Sequence, residues 1–133
     1  MEENGGHAEF YAGFLRREGY VPQSDGDGSV VFKREGRSYV VNADAKDPMY
    51  FQMIRPNIWH IEDETERREA IEACNLATQA TKVVKVFATA EGWVHLSVEL
   101  FCESPEEVCK IIPRCFSAMD VAAARFVQEL QGA

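Results

Sequence analysis

Residues 82–107 read KVVKVFATAEGWVHLSVELFCESPEE, and their pattern decides the fold class. Residues 83–89 form a β-branched run, Ala90-Glu91-Gly92 supplies a turn, and residues 93–102 alternate with period two, which reads as a β-hairpin. In its second strand Val94, Leu96, Val98, Leu100 and Cys102 share one face, while Trp93, His95, Ser97, Glu99 and Phe101 share the other. Ser104-Pro105-Glu106-Glu107 then combines an N-cap serine, a proline at the first helical position and a glutamate at the third. A helix starts there. Val108, Ile111, Ile112, Cys115, Phe116, Met119, Ala122, Ala123, Phe126, Val127 and Leu130 recur at three and four residues, a stripe that runs almost to the C-terminus. At the usual rise per residue such a helix is about 40 Å long, and Pro113 is expected to kink it because it cannot bond the carbonyl of Cys109.

Upstream, residues 63–81 begin with Asp63 and Glu66, whose side-chain oxygens can satisfy the unpaired N–H groups of a first helical turn. The inner stripe of this second helix is Ala70, Ile71, Cys74, Ala77, Thr78 and Thr81. It is weakly apolar, which suits a helix lying over a sheet edge or close to another backbone. Residues 29–34 and 38–42, rich in Val, Phe and Tyr and separated by Glu35-Gly36-Arg37, form a first hairpin. The preceding Gln-Ser-Asp-Gly-Asp-Gly is dense in turn formers. Residues 49–55 add a third strand, stopped by Pro56, which lacks the N–H that a continuing ladder needs. At the N-terminus Phe10 with Phe14 and Tyr11 with Leu15 sit four apart in a short amphipathic helix over residues 8–18, ended by Gly19. The expectation is an α+β fold in the order α-β-β-β-α-β-β-α, a five-stranded antiparallel sheet with helices packed on it. A flexible stretch, residues 1–7, precedes one domain over residues 8–131.

The 133 residues match one ordinary domain. Fourteen Lys plus Arg against 22 Asp plus Glu leave a net charge of −8, which repels a nucleic-acid backbone or an anionic membrane unless a basic patch overrides it, and no such patch is present. The acidic, polar N-terminus does not resemble a secretory signal, and no run approaches the roughly 18 apolar residues of a spanning helix. A cytoplasmic protein is expected. Cys74, Cys102, Cys109 and Cys115 show no Cys-x-x-Cys spacing and stand apart in sequence from His7, His60 and His95; Cys102 and His95, an odd number of residues apart in one strand, face opposite ways, so the cysteines read as buried thiols and no metal is expected. Asp25-Gly26-Asp27-Gly28-Ser29 fails as a calcium loop, since position 6 is Val30 and position 12 is Gly36. Phosphate loops and hydrolase motifs are absent. The acidic group Glu62, Asp63, Glu64 and Glu66 is accounted for by the helix N-terminus it opens. No cofactor and no catalytic residue are expected.

What remains is aromatic. Trp93 and Phe101, joined by Phe87 from the preceding strand, share a hairpin face that is either a second core layer or a partner contact, and the pattern leaves open which face is inside.

The whole order of elements resembles the YbjN family, described as bacterial sensory-transduction regulators, and more distantly the type III secretion chaperones. Phe14-Leu15 with Gly19-Tyr20, Cys74-Asn75, residues 82–86 and Glu91-Gly92-Trp93-Val94 carry the resemblance. It implies no catalytic residues and offers Asn75 as its one polar position of interest. It also implies surface for homodimerisation or for an extended segment of another protein, by strand addition or by aromatic anchoring at Phe87, Trp93 and Phe101. Two other functions stay open: a small-ligand sensor with a pocket near Met53, Trp59 and His60, and an enzyme using Cys102, Cys109 or Cys115, which needs an exposed low-pKa thiolate.

Overall fold

The computed structural model describes residues 7–132. Its elements are α1 (Ala8–Arg17), β1 (Gln23–Ser24), β2 (Ser29–Arg34), β3 (Arg37–Asn42), β4 (Tyr50–His60), α2 (Glu64–Ala80), β5 (Val84–Ala88), β6 (Trp93–Phe101) and α3 (Pro105–Gln131). The class is α+β. One open antiparallel sheet has the strand order β1-β2-β3-β4-β6-β5. By its contacts the chain falls into two compact units, one of residues 1–54 with 99–113, the other of residues 55–98 with 114–133. The stretch read as flexible lies outside the described residues up to position 6. His7 directly precedes α1, and its carbonyl accepts from the Tyr11 N–H at 3.0 Å.

In the first unit α1 buries Tyr11, Ala12 and Leu15. It ends where Gly19 adopts φ 97°, with the Tyr20 N–H bonded to Leu15 O and the Gly19 N–H to Arg16 O, a Schellman closure. The β2–β3 loop is Glu35-Gly36, both with positive φ, as a type I′ turn requires. The sixth strand, absent from the sequence expectation, is β1: Gln23 and Ser24 pair with Val31 and Val30. Two residues are too short to show an alternating pattern, and turn formers follow them directly. Val30, Phe32, Tyr39, Val41, Phe51 and Met53 form the inner face, where Tyr11 meets Phe51 with ring centroids 5.4 Å apart. Ser104 Oγ caps the start of α3, accepting the Glu107 N–H at 3.4 Å, and Val108, Cys109 and Ile112 are buried.

In the second unit β4 continues to His60, past the Pro56 that was expected to end it. Asn57 takes φ 60° there, and its N–H leaves the ladder to donate to His95 Nδ1 at 3.0 Å. A local distortion of this kind tolerates proline, because the missing donor falls where pairing is already interrupted. α2 opens as expected, with Asp63 Oδ1 accepting the Glu66 N–H at 2.8 Å. Its buried stripe is narrower than expected and consists of Ala70, Ala73, Cys74 and Ala77, while Ile71 is 49% exposed. At 100° per residue these four positions share one line, and Ile71 falls to its side. α3 is continuous through Pro113 and buries Cys115, Phe116, Met119, Ala122, Phe126 and Leu130, whereas Ile111 of the first unit, expected in the same stripe, is 39% exposed.

Candidate functional site

Strand register brings together in the first unit a group of polar side chains that lie far apart in sequence. Ser29 pairs with Asn42, and Asn42 with Gln52. Ser29 Oγ donates to Asn42 Oδ1 at 2.8 Å, Asn42 Nδ2 to Gln52 Oε1 at 2.6 Å, and Gln52 Nε2 to Glu99 Oε2 at 3.2 Å. Four strands thus carry one half-buried hydrogen-bonded row on the face opposite the core. Burial, and then a hydrogen bond to Glu99, push the Tyr50 hydroxyl up to about 12. Beside this row the paired Val31, Val40 and Ile54 stay half-exposed. Phe101 is 76% exposed, touching Tyr50 with centroids 6.0 Å apart. Each member of the row sits among apolar strand residues, a signal visible in the sequence. Their alignment is not, because register is a property of strand pairing.

The second unit holds the other two aromatics of the expected site. Trp93 is 37% exposed and packs on His60 with centroids 4.4 Å apart, while His60 Nδ1 lies 3.1 Å from Glu62 Oε2. Phe87 is half-buried, edge-on to His95 at 5.6 Å. Trp93 and Phe101 occupy opposite ends of β6, and each has its own neighbours.

Of the residues named for a ligand pocket, Met53 is fully buried in the first unit. In the second, Trp59 packs against Phe126 at 6.2 Å, its buried Nε1 without a partner among the described residues, and His60 faces Trp93. Asn75 is exposed on α2. All four cysteines are buried free thiols. Burial pushes Cys74 and Cys109 up to about 11 and raises Cys102 and Cys115, so at neutral pH these are thiols rather than the thiolate that nucleophilic chemistry requires. Among the described residues no group of three or more His, Cys, Asp or Glu side chains could hold a metal ion, and no helix is long and apolar enough to cross a membrane.

Comparison with protein-family models, with curated proteins and with solved structures finds no match.

Proposed function

We propose that this is a non-enzymatic, cytoplasmic protein-binding module of the YbjN type, which takes an extended segment of another polypeptide on the sheet face of its first unit and also self-associates. One observation carries the reading: Phe101, a large apolar side chain at the end of β6, is 76% exposed beside an ordered polar row. Leaving such a ring in water forgoes roughly 1.5–3 kcal/mol of burial that a partner would supply. The adjacent row from Ser29 to Glu99, hydrogen-bonded along its length, gives this anchor a polar border, the anchor-with-polar-rim composition of binding surfaces. The net charge of −8 favours neutral or basic partners. The element order is the one on which the resemblance to that family rests, with β1 added.

The test is selection from a displayed library of random peptides. Enriched peptides should bind the wild-type chain and lose about ten-fold or more in affinity to F101S. Failure to enrich any sequence, or binding indifferent to F101S, overturns the reading.

A further inference from the structure

The strand order makes β5 an edge of the sheet, and an edge exposes a row of main-chain donors and acceptors. Here a helix side chain occupies it. Thr78 of α2 accepts the Val86 N–H through Oγ1 at 3.0 Å and donates to Val86 O at 3.3 Å. Both main-chain groups of Val86 therefore point away from β6, and the antiparallel pattern makes those of Val84 and Ala88 do the same. One hydroxyl makes the two bonds that a residue of a neighbouring strand would make.

Besides Thr78, α2 reaches the end of β5 through Arg67 Nη1, which donates to Thr89 O at 3.2 Å, and two features favour release of this cover. The side chains α2 buries fully are the small Ala70, Ala73, Cys74 and Ala77, with Leu76 half-buried, so the helix removes modest apolar area from water. The connection to β5 is also strained: Val83 adopts φ 60° although β-branched, and it is 66% exposed. A bulky residue in the left-handed region persists only where its surroundings hold it there, and such strain collects at elements that move.

We propose that α2 is a removable cover of the β5 edge, latched by Thr78, and that its displacement presents β5 to the β5 of a second copy of this chain. The register follows from the bonds. An antiparallel pair centred on Val86 places Val86 opposite Val86 as a hydrogen-bonded pair, Val84 opposite Ala88, and Lys85 opposite Phe87. Such a pair is self-complementary: the apolar residues continue one face, and each Lys85 ammonium meets a ring rather than another ammonium. Lys85 Nζ already lies 6.0 Å from the Phe87 ring of its own strand. This rests on the self-association proposed above, to which it gives an interface, and it uses a surface other than that of Phe101, in the second unit.

The experiment is sedimentation equilibrium on T78V, which keeps the side-chain shape and removes the latch. Self-association should tighten by about ten-fold relative to wild type, the loss of two hydrogen bonds from the closed form. T78S should behave as wild type, and F87K in the T78V background, which sets Lys85 against a lysine, should reverse the gain. F101S in that background should leave it unchanged, which separates this inference from the peptide-binding face. A folded T78V that associates no more than wild type overturns the proposal, as does association indifferent to F87K. If T78V does not fold, amide exchange on the unmodified chain decides. The Val86 N–H should exchange through an opening that leaves the Leu96 N–H protected, more slowly at high protein concentration and in V83G, whose glycine relaxes the closed form. Exchange of Val86 only through global unfolding overturns the proposal.

Discussion

The sheet faces of the two units treat their aromatic residues in opposite ways. In the first, polar side chains satisfy one another along Ser29, Asn42, Gln52 and Glu99, and Phe101 beside them is left 76% exposed. In the second, each ring has a histidine: Trp93 lies on His60 and Phe87 on His95. The lesson is that an aromatic on a solvent-side strand position stays exposed where its polar neighbours bond one another. Where the neighbour is a histidine with an apolar ring face, the contact is made within the chain.

This contrast can be broken at its strongest point by Q52L, which removes the middle of the polar row, taking from the half-buried Asn42 Nδ2 its acceptor and from Glu99 Oε2 the Gln52 donor. The expected loss is about 1–3 kcal/mol in urea unfolding. A loss within error of zero would mean that water replaces the row and that it does not organise this face. Next in size, F87S should cost about 1–2 kcal/mol, since it removes a half-buried ring and its edge contact with His95. F101S should shift stability by less than about 0.5 kcal/mol, as expected for an exposed position. Equal costs for the two phenylalanines would erase the distinction between the faces. The smallest effect is in pH. Burial holds the Cys74 thiol up to about 11 against an ordinary 9, so its contribution to stability is complete below pH 9 and is lost as pH rises toward 11. C74A should flatten that part of the profile, and native-state alkylation at pH 7 should be slow for all four thiols.

Much of the architecture was legible because it is written locally. The Ser104-Pro105-Glu106-Glu107 start of α3, the Asp63 cap of α2, the Gly19 end of α1 and the Glu35-Gly36 turn depend on side chains a few residues from the backbone they satisfy. The misreadings have the opposite character. β4 outlasts Pro56 because His95, thirty-eight residues downstream, receives the Asn57 N–H at the distortion. β1 exists because β2 is there to pair with it. The proposed aromatics were identifiable as residue types, but their availability was not, since it depends on whether Tyr50, His60 or His95 lies across from them.

Composition and periodicity alone therefore settled the α+β class, the helices with their caps, and the alternation that sorts each strand into two faces. Those properties depend on backbone geometry over one or two turns or a few strand positions. Register and edge closure were decided only by the tertiary structure, which aligned Ser29 with Asn42, Gln52 and Glu99 and set the Thr78 hydroxyl on Val86. The physical reason is that a hydrogen bond forms wherever a donor and an acceptor meet, whatever their separation along the chain.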